Sequence, residues 1–394
     1  MRPPNEAKTV AGIVTVYRKN SHADVILGKI LEGYLQDGGA KPALELKTLY
    51  VDQVPNEDMS RELAKKHGFR ICPTIAVALT LGGKKLAVDG VVIIGEHGNY
   101  PDNEKGQKLY PRRAFFEQVA KVFESTGQAV PVFNDKHLAA TWDDASWIYE
   151  KARKLYVPLF AGSSIPVTWR KPNLILPKDC VLTAAVQLGY GPFEAYGFHA
   201  LEGLQCMVER RKGGETGVAA VTALQGAAMW DAMKAGRFSQ SLLEEALRIA
   251  PGRTKGDYRE LSAKAKNCSV WLIEYRDGLT AAVAMLNGVS DGGAFCFAGQ
   301  LKGETELRST QFYLQDAAPF AHFAQLVRAI ESHMRTGHAP YPVERTLFTT
   351  GILDAALTSL HQSGKRIETP YLKVTYKPTD WPPADGPIPA GKKP

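Results

Sequence analysis

Side chains able to move protons or hold a metal fall where apolar runs end: His22, Glu96, His97, Lys136 and His137 early in the chain, His199 and Glu202 further on. His199 and Glu202 are three apart, so a helix through FHALEGLQCMVERR sets both on one face. Lys136 follows directly on the run QAVPVFND. A lysine there normally faces solvent and adds little to folding, whereas in a cleft it is desolvated and can exchange protons near neutrality. Glu96 and His97 open the segment GEHGNYPDNEKGQKLYPRR, a loop longer than a plain connection needs, in which Arg112 and Arg113 read as ordinary charges at a helix start. If the first, fourth and fifth strands of a doubly wound sheet are neighbours, their ends gather His22, then Glu96 with His97, then Asp135 with His137. Such a set can ligate a divalent metal, but histidine spacing more often gives hydrogen-bonded side chains, so no metal ligand is assigned and the metal stands as the alternative.

The elements that must position these groups alternate at first. KTVAGIVTVY, LELKTLYVD, VDGVVIIGEHG, QAVPVFND and VPLFAGSS read as strands, with helices through SHADVILGKILEGYL, NEDMSRELAKKHGF, RRAFFEQVAKVFESTG and WDDASWIYEKARKLY between them. This βα order predicts a parallel sheet with helices on both faces, closing near residue 165. Longer strands follow in CVLTAAVQLG, GVAAVTALQG, NCSVWLIEYRDG and LTAAVAMLNG. They predict an α+β domain over 166–376 with a mostly antiparallel open sheet. Residues 377–394, KPTDWPPADGPIPAGKKP, form a tail that is either disordered or laid over a neighbour. Apolar residues on both faces of CVLTAAVQLG and LTAAVAMLNG suggest a homo-oligomer, one sheet face meeting the chain's own helices and the other a partner.

The first strand passes to the first helix through Tyr17, Arg18, Lys19, Asn20, Ser21 and His22. Dinucleotide-binding proteins carry glycines at such a turn, because glycine lets the backbone approach the pyrophosphate. The free amides of the helix start still attract an anion, and Tyr17, Arg18, Lys19 and His22 are the cofactor-binding candidates of this turn, Arg18 and Lys19 neutralising phosphate with side chains and His22 facing the ligand.

Several segments resemble the Gfo/Idh/MocA oxidoreductases, the family of glucose-fructose oxidoreductase and inositol dehydrogenase. SRELAKKHGFRICPTIAVALTLGGKKLAVDGVVIIGEHGNYP is similar to the middle of that family's nucleotide domain. Asp135, Lys136, His137 and Leu138 stand where the family has Glu, Lys, Pro and Leu, and HAPYPVERTLFTTGILDAALTSLHQSGKRIETP resembles its closing helix and strand. The motif DxGxHxxD is matched in EAYGFHALE by Gly197, His199 and Glu202, with Ala195 at the first acidic position and Glu194 one place earlier. The resemblance implies a Rossmann-like first domain and hydride transfer between NAD or NADP and a sugar, polyol or related hydroxylated compound. Lys136 and His199 would manage the alcohol proton, Glu202 would orient substrate, and Asp52 would bind ribose. A lyase, hydratase or isomerase on the same fold is the alternative, with a metal at His22, Glu96, His97 or His137. A non-catalytic ligand-binding relative is a third reading.

Composition narrows the partners. The net charge of +7 suits a sugar-like or anionic small molecule, but 48 basic residues are mixed with 41 acidic ones and no basic block suggests nucleic acid. No apolar run is long enough to cross a membrane, and the start MRPPNEAK lacks the apolar core of a signal peptide, so the cytoplasm is expected. The five cysteines are scattered and unpaired in spacing, as reduced thiols would be.

Overall fold

The computed structural model describes residues 6–391. Strands β1 (Lys8–Val14), β2 (Leu44–Val51), β3 (Arg70–Ile71), β4 (Gly90–Ile94), β5 (Val132–Asp135) and β6 (Leu159–Gly162) form a parallel sheet in the order β3-β2-β1-β4-β5-β6. Val10 and Val14 of β1 point into one apolar cluster with helix α1 (His22–Glu32), while Ala11 and Ile13 point into another with α3 (Ile75–Thr80), α4 (Arg112–Thr126) and α5 (Trp142–Lys154). Burial on both faces is why the strand is apolar without alternation. Helix α2 (Ser60–His67) ends at Gly68, in a left-handed conformation at φ 80°. The two-residue β3 and the short α3 were not separated in the sequence reading, because neither is long enough to set up a period.

The second sheet has eight strands in the order β14-β9-β10-β11-β8-β12-β13-β7. They are β7 (Arg170–Lys171), β8 (Leu182–Gly189), β9 (Val218–Leu224), β10 (Ser269–Tyr275), β11 (Thr280–Met285), β12 (Cys296–Leu301), β13 (Arg308–Phe312) and β14 (Ile367–Glu368). Their pairs are antiparallel except β8 with β11. Helices α6 (Phe193–Val208) and α11 (Val343–His361) cover one face. Helix α10 (Ala321–Thr336) goes back to the first sheet, where Val327 and Ile330 join the cluster around α1.

The sheet's other face is not bare. Helices α7 (Ala227–Lys234), α8 (Gln240–Arg248) and α9 (Tyr258–Lys264) lie over it, and Met233, Leu242, Leu243 and Leu247 pack with Val186, Leu188, Ala282 and Ala284. The argument for a partner subunit needed that face uncovered, so its ground is gone. The apolar residues on both faces are explained within one chain. Residues 377–391 lie along their own chain: Trp169 Nε1 donates to the Gly386 carbonyl at 3.1 Å, Ala384 N to Val167 at 3.0 Å and Gln315 Nε2 to Pro389 at 2.7 Å. All five cysteines are free thiols, and no helix among the described residues is long and apolar enough to cross a membrane.

If α8 is the cover, Leu243→Asp places a charge in the middle of this contact. A loss of roughly 3 kcal/mol or more is expected in chemical denaturation, together with self-association in light scattering as the sheet face is exposed. Unchanged stability would mean that the helices do not seal the sheet.

Candidate active site

The order of the first sheet reverses between β1 and β4, and ligands of open α/β sheets bind at the carboxyl ends beside such a reversal. Glu96 sits there, buried just past β4. Its Oε2 accepts from Arg112 at 2.7 Å, and its Oε1 is 3.2 Å from Lys136 Nζ. Burial alone would push the Glu96 carboxyl up, but Lys136 and Arg112 outweigh it and hold the group well below the usual carboxylate range. Arg112 passes so close to Gly95 that a Cβ there would lie 2.6 Å from its Cγ. Arg112 is therefore not an ordinary helix-start charge. It is fully buried, and its place in the first turn of α4, where the helix dipole disfavours a cation, signals a local use.

Of the two readings open for Lys136, the structure has the desolvated one: it is 3% exposed, in a left-handed conformation at φ 64°, with its N–H on the Gly162 carbonyl at 2.9 Å. The backbone bends there because the chain leaves β5 while still bonded to β6, which turns the ammonium inward to Glu96.

The histidines are gathered at the same edge, and among the described residues His97 Nε2 and His137 Nδ1 have no hydrogen-bond partner. His22 Nδ1 is 2.6 Å from Asp135 Oδ2, and its ring meets His97 and Phe323 edge-on. His137 Nε2 lies 2.9 Å from Arg112 and 2.8 Å from Glu194, so the acidic residue one place off the family motif reaches the site through His137. Burial, then the Arg112 charge, keep His137 less basic than usual. Burial and His22 lower His97 to about 4. Among the described residues no three His, Cys, Asp or Glu side chains converge as a metal site. The expected gathering at His22, Glu96, His97 and His137 exists, but Arg112 and Lys136 occupy its centre. Cations there use the lone pairs a metal would need.

His199 and Glu202 do share one face of α6, and both reach Ser163, a residue the sequence reading passed over. Ser163 gives its N–H to the Glu202 carboxylate at 3.1 and 3.2 Å, and its hydroxyl bonds Glu202 Oε2. The hydroxyl oxygen receives Ile165 N at 3.2 Å and lies 3.0 Å from His199 Nδ1. With the Ser163 proton on Glu202, Nδ1 must carry a hydrogen and Nε2 is left as an acceptor. Burial, reinforced by Lys136, holds His199 well below its usual basicity. Burial raises Glu202 to about 7 against the Ser163 hydrogen bonds that oppose it. The segment that brings Ser163 in turns at Gly162, φ 129°, where a Cβ would fall 2.5 Å from Glu202 Oε1.

The glycine-free turn places its residues unequally. Arg18 and Lys19 are exposed, and Lys19 Nζ is 3.8 Å from Asp24. Tyr17 is not on the ligand side as expected. It is fully buried in the cluster beneath α1, and Val16 before it is buried too, so the turn becomes exposed only from Arg18 on. Ser21 caps α1 by accepting from Asp24 N, and the Asp24 carboxylate accepts from Asn20 N at 2.8 Å. Asp52, exposed at the end of β2, accepts from Tyr100 at 2.6 Å and Tyr50 at 2.9 Å. Gln53 and Asn99 exchange two hydrogen bonds beside it, tying the loop after β4 to the end of β2 across β1.

No protein-family model matches the chain, and no curated protein matches its sequence. Solved structures do match its fold over nearly the whole length. GenD2 from gentamicin A biosynthesis, in complex with NAD, aligns at TM-score 0.55 with 15% identity, over 92% of this chain and 96% of that one. A putative myo-inositol dehydrogenase from Sinorhizobium meliloti aligns at 0.56 with 13% identity, over 91% and 99%. An Agrobacterium radiobacter oxidoreductase, in complex with NAD+, L-tartaric acid and magnesium, aligns at 0.54 with 13% identity, over 92% and 98%. At these identities the shared property is the fold: a Rossmann-like parallel sheet joined to a mostly antiparallel one.

Proposed function

We propose that the protein is an NAD-dependent oxidoreductase that oxidises a secondary alcohol of a sugar, polyol or related hydroxylated compound, or reduces the matching ketone. The observation that carries this reading is the chain Glu202–Ser163–His199 ending beside Lys136 at the sheet reversal. That is proton-handling machinery, and NAD-bound proteins share the fold. Arg18 and Lys19 at the start of α1 suit the pyrophosphate, and Asp52 suits ribose hydroxyls. The Tyr50 and Tyr100 hydroxyls it now holds are partly exposed and exchange at small cost. A carboxylate there also disfavours the extra phosphate of NADP. When bound, the nicotinamide supplies the hydride acceptor or donor.

The chain's own residues account for the proton. His199 Nε2, neutral and unprotonated, takes the alcohol proton. Its Nδ1 proton passes to Ser163, and the Ser163 proton passes to Glu202. The proton thus ends on Glu202, whose carboxylate it neutralises near pH 7, and the buried imidazole stays uncharged. The Lys136 ammonium, oriented by Glu96, stabilises the developing alkoxide. Asp135 Oδ1 and His97 Nε2 are buried polar atoms without a protein partner, and both can bond substrate hydroxyls.

Calorimetric titration with NADH and NADPH, followed by turnover on a polyol panel, tests the reading. NADH is expected to bind in preference to NADPH, and the double variant Arg18→Ala with Lys19→Ala to weaken it about tenfold or more. Because Asp24 already faces the helix start and no glycine admits the pyrophosphate to the backbone, binding should be weaker than in proteins with the glycine turn. Absence of binding and of hydride transfer would remove the proposal.

Lys136→Met is expected to lower kcat/KM by about 100-fold or more. Since Lys136 is buried in an ion pair, a stability loss of roughly 2 kcal/mol should accompany it, limited because Arg112 remains on Glu96. Full activity in this variant would exclude Lys136 from the chemistry.

The relay has a pH signature. Alcohol oxidation needs ionised Glu202, so kcat/KM should rise as pH climbs through about 7 and then level. Stability should move the other way. The folded carboxyl keeps its proton between its ordinary value and about 7, where the unfolded one has lost it, so this group's contribution falls as pH rises through that window. Glu202→Gln should abolish the activity limb and flatten the matching part of the stability profile. A limb that persists in the variant would assign it elsewhere.

A further inference from the structure

A cavity of about 650 Å³ opens beside the proposed centre, walled by Tyr190, Tyr196, Tyr313, Asp291, Asp316 and His322. It adjoins the chemistry on two sides. Tyr196 meets the His199 ring at 6.0 Å, and the His322 ring lies 4.6 Å from Phe323, which in turn meets His22 at 5.1 Å. Its size fits a single hydroxylated ring with substituents.

The charge of the wall is one-sided. Asp291 and Asp316 are exposed carboxylates, and neither is in an ion pair among the described residues. Among the described residues no lysine or arginine lines the cavity, in a chain whose net charge is +7, and the one ammonium at its wall, that of Lys171, is taken up by the Tyr313 ring. His322 adds no positive charge: burial lowers it to about 3, and its Nδ1 accepts the Gln315 N–H at 3.1 Å. The aromatic groups are suited to a cation as well. Tyr190 and Tyr196 meet edge-on at 5.2 Å with Phe295 against both, and Tyr313 already holds the Lys171 ammonium 3.8 Å from its ring centre.

Asp291 is held by construction. Its N–H bonds the Gly252 carbonyl at 3.1 Å, Thr254 N bonds Val289 at 3.0 Å, and Arg253 pairs by backbone with Ser290. A Cβ on Gly252, which has φ 52°, would lie 1.9 Å from the Asp291 carboxylate carbon. The two loops are therefore tied together by backbone at the cavity wall, with the Asp291 carboxylate resting against Gly252, whose φ of 52° favours glycine.

We infer that this cavity is the substrate subsite and that it selects a hydroxylated ring bearing an ammonium group, held by Asp291 and Asp316 against Tyr190 and Tyr196. The inference rests on the oxidoreductase reading for the identity of the neighbouring centre and adds the substrate's charge. Carboxylates that hydrogen-bond the ammonium reject an anionic ring of the same size, because like charges face each other without a counterion.

Binding of three rings that differ in charge tests it: D-glucosamine below the pKa of its amine, D-glucose and D-glucuronate, titrated calorimetrically into the full chain with NADH present and absent. Glucosamine is expected to bind about tenfold or more tightly than glucose, glucuronate most weakly, and the glucosamine advantage to shrink with added salt. The double variant Asp291→Asn with Asp316→Asn should erase the preference. Equal binding of the three rings, a preference for glucuronate, a preference that survives the double variant, or no binding of any ring would overturn the inference. NADH formation from NAD+ scored separately with the same rings distinguishes the two claims. The charge order without NADH formation would sink the oxidoreductase reading and leave the subsite, whereas NADH formation without a charge order would do the reverse.

Discussion

Three buried charges at the mouth of the first sheet depend on one another. Glu96 could not remain ionised in that setting without Arg112 and Lys136, and each cation would be costly there without the carboxylate. Keeping them together dictates much of the local chain. Position 95 must be glycine to let Arg112 pass, α4 must begin with an arginine against its own dipole, and Lys136 must leave β5 in a left-handed turn. The cost of that turn is offset by the pairing it permits.

The cluster also divides the edge into two electrostatic halves. On the Lys136 side positive charge is fixed, so nearby imidazoles lose basicity: His199 feels Lys136 after burial, and His137 feels Arg112. On the α6 side no cation among the described residues pairs with Glu202, and burial lifts it towards neutrality. A base that does not hold its proton beside an acid that readily does is the condition for moving a proton through Ser163. The two halves meet because Thr346 of α11 bonds the Ala161 carbonyl at 2.8 Å and Leu138 N bonds Thr350 at 3.3 Å. Helix α11 thus carries the face of the second sheet onto the ends of β5 and β6.

Much of this was legible in the sequence wherever a period or a strand end carried it. The βα alternation gave the parallel sheet, and the expected neighbourhood of the first, fourth and fifth strands gave the gathering of His22, Glu96, His97, Asp135 and His137. What escaped were the residues whose use depends on tertiary contacts. Ser163 is one serine in VPLFAGSS until α6 brings His199 and Glu202 against it. Arg112 looked ordinary, although an arginine opening a helix was a signal. Tyr17 lies past the end of β1, where no strand period says which way a side chain faces, and it is buried with Val16 while Arg18 beside it is exposed. Helices α7 to α9 were missed because their apolar residues were not recognised as the missing cover of an open sheet.

That cover changes what the second sheet is for. A sheet whose far face is sealed by α7, α8 and α9 does not need another subunit to hide its apolar residues. The loop between α8 and α9 carries Gly252, and the loop before β12 carries Asp291. They pair with one another at the rim of the cavity near His199. The stretch from α7 to α9 thus covers the apolar face of the sheet with its helices and, through Gly252, braces the loop that carries Asp291.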